Sequence, residues 1–173
     1  MEVPNDASTG ADPARFAAWC AVADAVRATT KRLAKGAHVG GYLAALAARG
    51  DDASLALAAR FLSGLVFPRH DMRTTSVGGA TVAEALARAT GIDRDTWRAR
   101  ALALGDLGDA ARALLEEREP ARPASDTTLA RLGAAFDAVA ATRGTHAKRD
   151  RLAALFATLG AAELQYAVKL LLG

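Results

Sequence analysis

Along nearly its whole length this chain repeats apolar residues three and four positions apart, the spacing that gathers them on one face of an α-helix. Leu129, Leu132, Phe136 and Val139 form one such stripe, and Leu152, Leu155, Phe156 and Leu159 form another. Sustained alternation of β-branched and polar residues is missing, as are Asn-Gly and Asp-Gly hairpin turns, so strand signals are nearly absent. Alanine fills the gaps; it is the best helix former and small enough to let helices approach closely. With 173 residues, 51% of them hydrophobic, the chain can bury a core of its own. The pattern predicts an all-α fold, an irregular multi-helix bundle of about eight or nine helices.

Turn and capping residues divide the pattern. Residues 1–12 are polar and acidic and read as a disordered N-terminal arm, with residues 13–173 as the helical domain. A first helix is expected over residues 13–33, capped by Asp12, with Phe16, Trp19, Ala23, Val26, Thr30 and Leu33 on its inner face. Gly36 ends it, and a second helix is expected over 38–48 and a third over 53–66. The turn-rich residues 67–79 follow, and a connection of that length inside a compact chain is more often functional or packed than idle. Thr81-Val82-Ala83-Glu84 reads as a capping box opening a fourth helix. Its Gly78-Gly79 could show N–H groups to a phosphate, but a turn with positive φ is the commoner use of such a pair. Asp93 and Asp106 are caps for the fifth and sixth helices. Residues 118–125 are linker-like and separate a six-helix part from a three-helix part. The seventh helix is capped by Asp126, Thr127 or Thr128. The chain stops straight after an apolar helix, which reads as a cut through a longer protein.

The turn from Thr142 to Arg151 carries the most chemistry. Gly144 suits the C′ position of the seventh helix and Thr145 the N-cap of the eighth. A helix start favours anions through its unpaired N–H groups and its dipole. Lys148, Arg149 and Arg151 follow at once, where the dipole alone would favour acids. A phosphate held between N–H groups and cations accounts for them; a solvated basic helix end is the plainer alternative.

Other chemistry is hard to build. Net charge is +3, so a polyanion would bind only where that charge is gathered. The single cysteine, Cys20, cannot form an internal disulfide or a zinc cluster, and His38, His70 and His146 are scattered. There is no phosphate-binding GxxxxGK[ST] loop. Glu116 and Glu117 are neighbours and point to different helix faces. No catalytic set and no metal site is expected. Without a targeting helix or an apolar run of spanning length, the expected compartment is the cytoplasm.

The order of landmarks resembles the N-terminal DNA-binding domain of ATP-dependent DNA ligases, of a bacterial type, over roughly residues 16–173. Thr29-Thr30-Lys31-Arg32-Leu33-Ala34-Lys35 resembles the family's Thr, Arg and Lys pattern after the first long helix. Phe61-Leu62-Ser63-Gly64 resembles the helix end before a variable loop. Val77-Gly78-Gly79 with Ala83-Glu84-Ala85-Leu86 and Ala89-Thr90-Gly91 resembles the next family segment. Gly105-Asp106-Leu107-Gly108 is the sharpest match. Thr142-Arg143-Gly144-Thr145 with Lys148-Arg149 resembles a "TGS…KK" turn, and residues 163–173 resemble the helix that leads into the catalytic part. Lys169 stands where an Arg is usual, and the adenylation motif Lys-x-Asp-Gly is missing.

The resemblance implies a sequence-independent grip on duplex or nicked DNA through backbone contacts along the minor groove, in repair or replication. Its partners would be that DNA and the catalytic domains of the parent protein, with the domain itself a monomer. ATP and Mg would belong to the parent ligase, and this chain alone would be inactive. The residues carried over are Gly144, Thr145, Lys148 and Arg149 as a phosphate clamp and Thr30, Lys31, Arg32 and Lys35 as a second patch. Arg69, Arg73, His146 and Lys169 are secondary candidates, and Gly105 and Gly108 are turn residues. The alternative is a helical protein–protein adaptor with no DNA role; a small helical enzyme ranks last because no catalytic group can be named.

Overall fold

The computed structural model describes residues 12–173. Among the described residues nine α-helices follow one another: α1 Phe16–Ala28, α2 Arg32–Ala48, α3 Asp52–Leu62, α4 Gly79–Thr90, α5 Arg94–Leu104, α6 Leu107–Arg118, α7 Leu129–Ala141, α8 Thr145–Phe156 and α9 Ala161–Leu172. The fold is the all-α multi-helix bundle that the periodicity demands. Residues 1–11 of the expected arm lie outside the described residues. Asp12, its last residue, accepts from the Ala14 N–H at 2.9 Å and pairs with Arg49 at 3.2 Å.

The core gathers aromatic rings at one point, with Trp97 and Phe156 fully buried among aliphatic side chains elsewhere. Trp19 stacks on Phe16 at 5.6 Å between ring centroids and meets Phe61 and Tyr166 edge-on at 6.4 and 5.4 Å; Phe61 meets Phe136 at 6.1 Å. The Trp19 indole N–H donates to the Ala58 carbonyl at 3.2 Å, so its burial strands no polar group. Each such ring contributes about 1.5–3 kcal/mol by leaving water. Helix α6 packs on α9, α4 on α8, α5 on α6, α1 on α2 and α9, and α3 on α7. Helices before and after residues 118–125 therefore share one core. That stretch is tied in place: the buried Glu163 carboxylate accepts from the N–H and hydroxyl of Ser125, both at 2.8 Å, and from Gly160 N–H at 2.7 Å.

Five local expectations are corrected. The helix expected over residues 13–33 breaks at Thr29, Thr30 and Lys31. Thr29 is extended, with φ −120° and ψ 144°, and its hydroxyl accepts from the Lys31 N–H at 3.2 Å. A side chain that offers a nearby N–H a partner competes with the helix ladder. The new helix takes its phase from Tyr42 and Leu46, so Leu33 points away from the core and is 89% exposed. Gly36 lies inside α2 rather than after a helix. The third helix stops at Leu62, four residues early, where Gly64 turns left-handed at φ 74°. The capping box at Thr81 is absent, because α4 already starts at Gly79; Glu84 pairs with Arg94 at 3.0 Å instead. Finally, Gly144 is the N-cap of α8 and Thr145 its first helical residue.

Other readings hold. Asp93, Asp106 and Thr128 cap α5, α6 and α7 by accepting the N–H groups of Thr96, Asp109 and Arg131. Gly91 and Gly105 close α4 and α5 in the left-handed region, at φ 70° and 75°. Gly108 does something else. It lies inside α6 against α9, where a Cβ would come within 2.7 Å of the Gln165 carbonyl oxygen and of Lys169 Cγ. Only a residue without a side chain lets the two backbones approach that closely.

Candidate nucleic-acid interface

The starts of the nine helices differ in how their first N–H groups are used. Caps on α3, α5, α6 and α7 are side-chain oxygens, from Asp51, Asp93, Asp106 and Thr128. At α9 the acceptor is Glu163, and at α1 the Phe16 N–H donates to the Thr127 carbonyl at 2.8 Å. Helices α2, α4 and α8 have no side-chain cap and no acidic residue in the first turn. Among the described residues no carboxylate caps their leading N–H groups and positive dipole ends.

At α2, Lys31 is the N-cap, Arg32 the first helical residue and Lys35 one turn on. Thr30, Lys31, Arg32 and Lys35 are all exposed. None of these three cations takes part in an ion pair among the described residues. Basic groups placed on a positive helix end raise the local potential rather than balance it. Gly36, Gly40 and Gly41 continue the exposed side of this helix, and a Cβ at any of them would meet nothing within 4 Å.

At α8 the exposed groups are Gly144, Thr145, His146 and Ala147. Gly144 has φ 85° and ψ 135°, a backbone that other residues adopt only with strain. Lys148 and Arg149 are half-buried and already engaged. The Lys148 ammonium donates to the Thr75 carbonyl at 2.5 Å. Arg149 donates through Nε and Nη2 to Asp150 at 2.9 and 2.8 Å, and its Nη1 lies 3.1 Å from His146 Nδ1. The Arg149 hydrogen bonds hold the Asp150 carboxyl below its ordinary value, and Arg88 at 3.2 Å adds to this.

At α4 the N-cap Gly78 is extended, with φ −105° and ψ 172°, so the positive-φ explanation of Gly78-Gly79 does not apply. Both glycines are exposed, and a Cβ on either would meet nothing within 4 Å. Neither torsion nor internal packing calls for glycine at this helix start.

The four residues of each patch thus sit together at one helix start. The two starts belong to different parts of the bundle: α2 packs on α1 and α3, and α8 on α4 and α7. Among the secondary candidates, Arg69 is exposed. Arg73 is spent on Asp71 at 2.6 Å and Asp137 at 3.0 Å, with its guanidinium 4.8 Å over the Phe67 ring. Its hydrogen bonds hold Asp71 below the usual carboxylate value. Lys169 is 2.7 Å from Asp106 and 3.1 Å from Asp109. The network around Asp109 has no counterpart in the sequence reading, since its members lie on three helices far apart in the chain.

The described residues thus define an all-α multi-helix domain with exposed basic residues at the start of α2. The sequence profile of the DNA ligase N terminus family matches residues 15–173. The chain belongs to this family, the N-terminal domain of ATP-dependent DNA ligases. It is 31% identical over 192 residues to a probable DNA ligase of Opitutus terrae, covering 93% of this chain and 18% of that protein. A probable DNA ligase of Koribacter versatilis is 33% identical over 150 residues, covering 87% and 25%. A DNA ligase of the archaeon Natronomonas pharaonis is 34% identical over 136 residues, covering 72% and 24%. The chain therefore spans about a quarter or less of the length of these relatives, and similarity is not confined to bacteria.

Proposed function

We propose that this domain is the sequence-independent DNA-binding module of an ATP-dependent DNA ligase, gripping nicked duplex DNA through its sugar–phosphate backbone along the minor groove. The observation that carries the reading is the α2 start: three exposed cations, Lys31, Arg32 and Lys35, on a helix end with no carboxylate against it among the described residues. Thr30 would add a hydroxyl there. The α8 start would contribute mainly its N–H groups, with Gly144 and Thr145 allowing close approach, while Lys148 and Arg149 shape the turn and add charge. Contacts of this kind position a duplex without reading its bases, which suits an enzyme that must seal nicks at any sequence.

The domain would act as a monomer in the cytoplasm and serve repair or replication. Catalysis, with ATP and Mg, would fall to the domains that make up the rest of the longer relatives; this sequence has no Lys-x-Asp-Gly to carry adenylate. Among the described residues no helix is long and apolar enough to cross a membrane.

Fluorescence anisotropy with a nicked and an intact duplex of one sequence, each at low and moderate salt, tests the proposal. With about four phosphates neutralised, log K falls against log salt with a slope near −3.6, about −0.9 for each phosphate. A preference for the nicked duplex would place nick sensing in this domain. Absence of binding even at low salt would favour the adaptor reading.

A further inference from the structure

The α1–α2 turn that carries Lys31 and Arg32 has little holding it directly. Among the described residues its local ties are the Lys31 N–H on the Thr29 hydroxyl and the Lys35 N–H on the Lys31 carbonyl at 3.1 Å. Among the described residues, no side chain from Ala28 to Gly41 makes a hydrogen bond to another helix. The last such tie before the turn is Arg27, two residues ahead of Thr29. Its guanidinium crosses to the first turn of α6 and meets Asp109 fork to fork, Nη1 to Oδ1 and Nη2 to Oδ2, both at 2.9 Å.

Asp109 is itself held from two further directions. Gln165 Nε2 donates to it at 2.6 Å, and Lys169 Nζ lies 3.1 Å away while also meeting Asp106, the α6 cap, at 2.7 Å. One turn earlier on α1, Asp24 accepts from Arg112 at 2.8 Å and from the Tyr166 hydroxyl at 2.6 Å. Two-point pairing fixes orientation as well as distance. Arg27 is 54% exposed, and a pair that open adds little to stability by itself. Its two contacts tie the last turn of α1 to the first turn of α6. The Arg27 hydrogen bond also holds the Asp109 carboxyl far below the usual carboxylate range, so the pair stays ionised at working pH.

We infer that Asp109 is a positioning residue for DNA binding: through its two-point pair with Arg27 it aims the α1–α2 turn and so places Lys31, Arg32 and Lys35 for contact with phosphates. The inference rests on the proposed DNA-binding role of the α2 start and deepens it, because it assigns a task to a carboxylate that does not touch the ligand.

Charge makes the test sharp. Asp109→Asn removes one negative charge, so electrostatics alone would tighten DNA binding. Positioning predicts the opposite. In the full chain, anisotropy with an intact duplex at low salt should show affinity lowered by about three- to tenfold, an effect of the size that coupled residues show. Lys31→Ala alone should also weaken binding, and the double variant should be no weaker than the worse single one. Arg27→Lys keeps the charge but loses the fork; it should give a smaller loss in the same direction, and it provides the readout if the Asn variant fails to fold by circular dichroism. Affinity that is unchanged or raised in Asp109→Asn while Lys31→Ala weakens binding would overturn the inference, as would additive losses in the double variant. An inert Lys31→Ala would overturn the DNA-binding reading of this patch and the inference with it.

Discussion

At the start of α2, Lys31, Arg32 and Lys35 stand exposed with no carboxylate against them among the described residues; at the start of α8, Lys148 and Arg149 are half-buried and spent on Thr75, His146 and Asp150. In sequence the two look alike: basic residues at a helix start that lacks an acidic cap. In the fold they face different competitors. A phosphate approaching α2 would meet three cations that hold no ion pair among the described residues. One approaching α8 must share Arg149 with Asp150 and Lys148 with a backbone carbonyl. Lys148 also pins residue 75 of the long connection before α4, so its charge acts partly as a tether. The open groups at α8 are then the N–H groups of the first turn and the bare Gly144 backbone.

The largest expected effect tests the open side of this comparison. The variant K31A/R32A/K35A should lose on the order of tenfold in duplex affinity for each phosphate contact removed near 0.1 M salt, with a salt slope shallower by up to about 2.7 units. Its thermal stability should stay near that of the parent, since none of the three side chains has an ion-pair partner among the described residues. K148A/R149A should weaken binding to all sequences alike and flatten the slope by up to about two units. Unlike the α2 variant, it should also lower stability by about 1 kcal/mol, because the Thr75 carbonyl loses its donor. Unchanged salt dependence would remove these two residues from the clamp. Equal affinity losses without a stability change at α8 would erase the distinction between the two starts.

Glycines sharpen the comparison at smaller scale. Gly144→Ala forces a side chain onto φ 85° and should cost about 1 kcal/mol in a denaturant titration. Gly36→Ala replaces a helical residue with open space around it and should add about 0.5–1 kcal/mol. A fall in DNA affinity on Gly36→Ala, with stability raised, would show that the bare backbone of α2 is needed at the duplex.

The smallest effect is in acid. Asp109 has a depressed pKa in the folded state, chiefly from the Arg27 hydrogen bond. Its stabilisation is therefore fully present above the ordinary Asp value near 3.9 and is lost as pH falls below it toward the folded value. Thermal melts from pH 7 down to pH 2.5 should show Asp109→Asn less stable than the parent at neutral pH, with the gap closing below about pH 4. The α2 variant, which touches no carboxylate pair, should follow the parent through the same range. A gap that persisted unchanged in acid would mean that Asn disturbs packing rather than charge.

Some of this was legible in the residues alone. Stripes such as Leu129, Leu132, Phe136 and Val139 need only a 3.6-residue period to declare a helix. Asp93 and Asp106 declare caps because an Asp oxygen reaches a backbone N–H three residues on. Both basic patches were visible as clusters, and the landmark order pointed to the ligase family. The break at Thr29 was not legible, because the Thr hydroxyl competes with a ladder of equally local bonds and the tertiary setting decides between them. Gly144 opens α8 rather than closing α7 for a similar reason: a glycine with positive φ between two helices serves as the end of one or the start of the other according to the angle at which they pack.

By itself, then, the sequence determined what is local or periodic: an all-α bundle, most of its caps, the family, and where basic residues cluster along the chain. The tertiary structure decided which of those cations are engaged, Lys148 on Thr75 and Arg149 on Asp150, and which hold no ion pair among the described residues. It also brought Arg27, Asp109, Gln165 and Lys169 from three helices into one network and set Gly108 directly against α9. Those outcomes depend on distances between residues tens of positions apart, and only the packing of one helix on another determines such distances.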